Sequence, residues 1–319
     1  MKILICDDSG LARKSLARTI TLYTDHPILF AEHGAEALEI IKAESIDILF
    51  LDLTMPVMDG FEVLAHLPIT DHPLKTIVVS GDVQQQAIDR CYSLGAYGFI
   101  KKPFEKSKFE SLIEKLGLIE KQDKTNDHQD DDLSPTIKFK EICNVALGAG
   151  AAVVSDFIGE FITLPIPNVG PLESSELDMM ITDALDRETS IAVAQRFVGS
   201  GLHGEAIVCM EGTDIALIGE KLGFSREHST FNEIVLNIGN LLVASFLTSL
   251  SKQLNVDVVL RQPTTLTPDM YKVEDSKPHA QVFTIEFTYR TEHLNFECEV
   301  LFLLDDKSRQ AIYDIMETF

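Results

Sequence analysis

The chain has 319 residues and a formal net charge of −23. That length suits about two domains with separate cores, and the charge excludes the broad cationic footprint that a nucleic-acid backbone requires. The five cysteines (Cys6, Cys91, Cys143, Cys209 and Cys298) lack metal-ligand spacing, and several sit in apolar runs as small core residues.

No segment reads as a membrane span, and the apolar stretch before Cys6 is too short for a signal peptide, so a cytoplasmic protein without membrane insertion is expected. From the N-terminus, apolar strands are predicted near 2–6, 28–31, 47–51, 76–80 and 97–100. Amphipathic helices are predicted near 9–23, 35–43, 60–66, 84–93 and 105–116. This βα alternation predicts an α/β domain with a doubly wound, five-stranded parallel sheet over residues 1–119.

Polar residues collect where these strands end, the edge at which open α/β sheets carry their chemistry. "KILICDD" ends in Asp7 and Asp8, "ILFLDLTMPVMDG" carries Asp52, "TIVVS" closes on Ser80, and "YGFIKKPF" carries Lys102. Clustered carboxylates repel one another unless a hard cation lies between them, and a site completed by water and phosphate oxygens suits Mg²⁺. Asp8 and Asp52 are expected as direct ligands, Asp7 through water, and Thr54 through its backbone carbonyl. Asp52 is also the best nucleophile for a phosphoryl group, because a carboxylate forms an acyl phosphate once the transferred oxygens are neutralised. Ser80 and Lys102 would hold that group.

The acidic pair, the Asp-x-x-x-Pro-x-x-Asp-Gly segment at Asp52, Ser80, the aromatic Phe99 and Lys102-Pro103 stand in the order and spacing of the receiver domain of response regulators, which residues 1–119 resemble. The resemblance implies phosphorylation of Asp52 by a cognate histidine kinase, Mg²⁺ as cofactor, and a switch through Ser80, Phe99 and Lys102. It also assigns the lysine role to Lys102 over Lys101, because the family's lysine directly precedes the proline, often through a cis bond.

Residues 120–135, "EKQDKTNDHQDDDLSP", are polar and aperiodic and read as a flexible acidic linker. Residues 136–319 contain an internal repeat in which Asn144 aligns with Asn240 and Pro167 with Pro263. Each half continues with a predicted strand pair, "SIAVAQRFV" and "LHGEAIVCM", then "AQVFTIEFTY" and "LNFECEVLFL". Shorter helices near 213–222 and 306–317 close the halves. An α+β domain with pseudo-two-fold symmetry is expected.

On the first long helix Glu141 and Asn144 are three residues apart and share a face; Asn237 and Asn240 repeat the spacing on the second. An amide on an otherwise apolar helix is costly to bury without partners. Glu-x-x-Asn with a proline 23 residues further on resembles the CheC/CheX/FliY family of chemotaxis phosphatases. That resemblance implies a hydrolase acting on the aspartyl phosphate of a CheY-like receiver. Asn144 and Asn240 would orient water, and Glu141 would pair with the receiver's lysine. Asn237 stands where the second acid belongs, with Glu233 one turn earlier as a substitute, and Cys143 and Val145 replace expected small residues. Two alternatives are a phosphorylation-switched binding module for a CheD-like or other signalling partner, and an intramolecular phosphate sink reached through a linker spanning roughly 20–25 Å.

Overall fold

The computed structural model describes residues 1–67, 74–102, 106–118, 134–164, 166–187, 190–225, 228–267 and 281–318. They divide into two compact units, Met1–Ile137 and Lys138–Phe319. Of the predicted linker, only Ser134 and Pro135 are described, and Pro135 already opens a helix.

The first unit runs β1 (Ile3–Cys6), α1 (Gly10–Thr21), β2 (Ile28–Ala31), α2 (Gly34–Ala43), β3 (Ile48–Leu51), α3 (Gly60–His66), β4 (Lys75–Ser80), α4 (Gln85–Ser93), β5 (Gly98–Lys101) and α5 (Lys106–Leu116). All pairings are parallel, in the order β2-β1-β3-β4-β5. Successive strand residues face opposite sides. Ile3, Ile5, Ile48 and Phe50 therefore pack with Leu16 and Ile20 of α1 and Phe109 and Ile113 of α5, whereas Leu4, Cys6, Leu49 and Leu51 pack with Ala37, Val63, Leu64 and Cys91 of α2, α3 and α4. Burial on both faces is why these strands are unbroken apolar runs.

The second unit continues with α6 (Pro135–Ile158), β6 (Ile162–Thr163), β7 (Asn168–Glu173), α7 (Ser174–Asp186), β8 (Ile191–Gly199), β9 (His203–Glu211), α8 (Ile215–Lys221) and α9 (Phe231–Leu254). It ends with β10 (Val258–Leu260), β11 (Thr264–Leu266), β12 (Gln281–Thr291), β13 (Glu297–Leu304) and α10 (Asp306–Glu317). The two predicted hairpins form as β8/β9 and β12/β13 and join edge to edge through β9 and β13, giving one eight-stranded antiparallel sheet. Short strands β10 and β11 pair with β8 just as β6 and β7 pair with β12, which makes the repeat visible in three dimensions.

Helices α6 and α9 supply much of the core. Phe246 of α9 packs on Phe287 and Phe302 with ring centroids 5.0 and 4.9 Å away. The helices cross closely at Gly150, where an added Cβ would lie 3.1 Å from backbone atoms of Phe246. Both have 24 residues and are apolar enough to cross a membrane by length and composition, which the sequence reading did not anticipate. Here 56% of each apolar window is buried within the fold, the behaviour of a core helix. Helix α7 was also unforeseen; its Leu177, Ile181 and Ala184 bury against Ala192, Ile207, Cys209 and Leu301 of the sheet.

Candidate functional site

In the first unit the parallel strands bring the predicted residues to one sheet edge. Asp7 follows β1, Asp52 follows β3, Ser80 ends β4 and Lys102 follows β5. Asp7, Asp52, Ser80 and Lys102 are 5%, 2%, 1% and 6% exposed, while Asp8 is half-buried. Backbone bonds tie the edge together: the Asp52 N–H donates to the Cys6 carbonyl at 2.9 Å and the Lys102 N–H to that of Ser80 at 2.8 Å. Local turns aim the carboxylates. The Ser9 N–H donates to Asp7 Oδ1 and the Thr54 N–H to Asp52 Oδ2, each at 2.9 Å, and Ser9 caps α1.

Lys102 Nζ lies 2.7 Å from Asp7 Oδ2 and 3.2 Å from Asp52 Oδ1. Ligand oxygens of Asp7, Asp8 and Asp52 all fall within 4.8 Å of one another. An all-oxygen donor set at this spacing fits a hard divalent cation. Lys101 is exposed, so of the two adjacent lysines only Lys102 reaches the acids. Pro103, and with it the bond expected to aim Lys102, lies outside the described residues. Phe99 is half-buried against the α2–α4 side of the core.

Two neighbours escaped sequence reasoning. Arg13 of α1 donates to the Asp7 carbonyl at 2.7 Å and to Glu32 Oε1 at 2.6 Å, clamping the backbone beneath the acidic pair. Asp82, 4% exposed, accepts from the Gln84 N–H at 3.0 Å, and its own N–H donates to Ser80 Oγ at 3.1 Å. Burial pushes the Asp82 carboxyl up to about 6, opposed by the Gln84 hydrogen bonds. All five cysteines are free and buried. Burial, reinforced by Asp7 and Asp52, holds the Cys6 thiol far above its usual range, and burial drives Cys91 and Cys209 up to about 12. None offers a thiolate near neutrality.

In the second unit Glu141 and Asn144 are half-buried one turn apart on α6, flanked by buried Cys143 and Val145. Asn144 makes no side-chain hydrogen bond among the described residues. On α9 the pattern differs. Asn237 is exposed and donates from Nδ2 to the Glu233 carbonyl at 2.8 Å. Glu233, suggested by sequence as a substitute acid, is committed to capping α9: its carboxylate accepts from the Thr230 N–H at 2.8 Å and hydroxyl at 3.1 Å. Those bonds hold its carboxyl below the ordinary value. Asn240 is half-buried, and its Oδ1 accepts from Gln195 Nε2 at 2.8 Å. Pro167 is buried and Pro263 half-buried beside the short edge strands.

Residues 3–114 match the family described as the response regulator receiver domain. The chain is 34% identical over 115 residues to the chemotaxis protein CheY of Listeria monocytogenes, covering 97% of that protein and 36% of this chain. It is also 34% identical over 120 residues to hybrid signal transduction histidine kinase E of Dictyostelium discoideum; the match takes in 36% of this chain and 7% of the kinase. Among solved structures, FliY of Thermotoga maritima aligns with 59% of this chain and 99% of its own, at 20% identity and a TM-score of 0.41.

Proposed function

The chain belongs to the response regulator receiver family, and from that premise we propose that phosphorylation of Asp52 controls a second domain that hydrolyses aspartyl phosphate on a separate CheY-like receiver. In the first step an Asp52 carboxylate oxygen attacks the phosphorus of a kinase phosphohistidine. A P–O bond forms, the P–N bond breaks, and the imidazole leaves. Asp7, Asp8 and Asp52 would hold Mg²⁺, with the Thr54 carbonyl as a further donor, and the ion would neutralise charge on the transferred oxygens. Lys102 moves from its pairing with Asp7 and Asp52 toward the phosphoryl group, and Ser80 donates to it. Phe99 carries the change to the rest of the unit.

In the second step a water attacks the phosphorus of the substrate receiver's aspartyl phosphate. The P–O bond to the carboxylate breaks, the water's proton passes to a phosphate oxygen, and inorganic phosphate departs. Asn144 and Asn240 align that water, and Glu141 pairs with the substrate receiver's lysine. An acyl phosphate is already activated, so positioning supplies most of the acceleration.

The observation that carries this reading is the repeated helix pair, in which two long apolar helices each keep a half-buried asparagine at the same repeat position. The implied setting is the cytoplasm, with a histidine kinase upstream.

The test uses full-length chain carrying Asp52→Asn, so that its own receiver takes no phosphate, mixed with excess phosphorylated stand-alone CheY-like receiver. Accelerated phosphate release, lost when Asn144 and Asn240 are both alanine, supports the proposal. Release no faster than the substrate's spontaneous rate would sink it and leave a binding module.

A further inference from the structure

Gln195 occupies an inward-facing position of β8 between Val193 and Phe197, both core residues, and is 1% exposed. Its Nε2 has two hydrogens and both are used, one donated to the Arg261 carbonyl and one to Asn240 Oδ1, each at 2.8 Å. The carbonyl can only accept, so Nε2 must face it. The second hydrogen then requires an acceptor, which forces Asn240 to turn Oδ1 toward β8 and Nδ2 away. Gln195 Oε1 is buried without a hydrogen-bond partner among the described residues. An orphaned acceptor is a cost that a leucine of similar shape would avoid.

The repeat supplies an internal control. Thr163 pairs with Arg290 as its repeat-mate Val259 pairs with Val198, and Val169 pairs with Ile285 as Thr265 does with Val193. The same register carries Gln195 onto Phe287, a buried ring of the helix-facing core. Nothing comparable braces Asn144, which has no side-chain hydrogen bond among the described residues. We infer that Gln195 is a positioning residue that presets the amide of Asn240 for its water, making the α9 site the preorganised one of the pair. This rests on the phosphatase reading above and reverses the weight that the missing acid at Asn237 suggested.

The experiment uses full-length chain carrying Asp52→Asn and Asn144→Ala, so that only the α9 site acts, with phosphorylated CheY-like receiver as substrate. Gln195→Glu keeps the shape but, as a carboxylate, accepts where glutamine donated, so the Asn240 amide reverses. Gln195→Leu does neither and covers the case of a protonated glutamic acid. We expect kcat to fall on the order of 10-fold or more in both variants with KM nearly unchanged. In ¹⁵N spectra, the Asn240 side-chain NH₂ pair, identified by its loss in Asn240→Ala, should shift in Gln195→Glu as Nδ2 begins to donate. A pair that does not move overturns the inference, as does an unchanged kcat in both variants. If the Asp52→Asn chain with both asparagines intact releases no phosphate, the phosphatase reading fails by itself, and movement of the NH₂ pair still decides whether Gln195 sets the amide; if release is lost only when Asn144→Ala is added, the inference is overturned.

Discussion

Lys102 lies closer to Asp7, at 2.7 Å, than to Asp52, at 3.2 Å, so the ammonium is anchored by an acid other than the proposed phosphoacceptor. A buried ion left without its partner is strongly destabilising, and this arrangement means that removing the charge of Asp52 leaves Lys102 paired.

Asp52→Asn should therefore fold normally while accepting no phosphate from acetyl phosphate or a histidine kinase, because the amide is not a nucleophile. Intact mass after incubation with phosphodonor and Mg²⁺ checks this, alongside thermal melting. Phosphate on the variant at the wild-type level would refute the assignment.

Removing Asp7 is expected to do more harm than removing Asp8. Asp8→Ala takes away one half-buried ligand and should weaken Mg²⁺ binding and slow phosphorylation, leaving the nucleophile in place. Asp7→Ala also strips Lys102 of its nearer partner and should lower stability in addition, by less than the loss of a fully unpaired buried ion because Asp52 remains 3.2 Å away. Calorimetric Mg²⁺ titration and urea unfolding separate the two effects.

Asn144 and Glu141 should affect different kinetic constants. Asn144→Ala removes a positioning contact and should lower kcat at the α6 site by on the order of 10²-fold. Glu141→Ala removes a docking charge and should raise KM, an effect that shrinks as salt rises. Asn237→Ala should change neither, since its amide serves its own helix. Steady-state phosphate release at low and high salt distinguishes them, in an Asn240→Ala background for the α6 variants and in an Asn144→Ala background for Asn237→Ala.

Asp82 gives stability a pH dependence of unusual sign. Its carboxyl is raised in the folded state to about 6 from an unfolded value near 3.8, so the native state holds the proton more tightly. Its contribution is favourable at low pH and is lost as pH rises from about 4 through about 6. Asp82→Asn should therefore be about 1–3 kcal/mol more stable than wild type at pH 8, with the difference closing by pH 4. Melting temperatures across that range test it; a constant difference would show that ionisation of Asp82 is not the cause.

The parallel sheet was legible because its strands are short apolar runs, four of which lead into a site residue (Asp7, Asp52, Ser80 and Lys102), and the repeat because Asn144 and Asn240 keep step with Pro167 and Pro263. Helix α7 was overlooked although Leu177, Ile181 and Ala184 have helical spacing, because the segment falls between the repeated elements. Strands β6, β7, β10 and β11 have only two to six residues, too few for alternation to register. Gln195 could not be found at all. On a strand it is one polar residue among core positions, and its meaning depends on Asn240, which lies 45 residues away.

The join between β9 and β13 sets how the second unit can be divided. Gly204 sits at one end of it, where an added Cβ would collide with the Leu303 carbonyl, so that position admits no side chain. Neither half completes a sheet alone: cut between the repeats, each fragment would display a long row of unpaired amides and carbonyls. Because the pairing is antiparallel, that edge is compatible with a two-fold axis, and two copies of one half could zip together where β9 now meets β13. Symmetric pairing of half-length chains is thus a hazard for any truncated form of this fold.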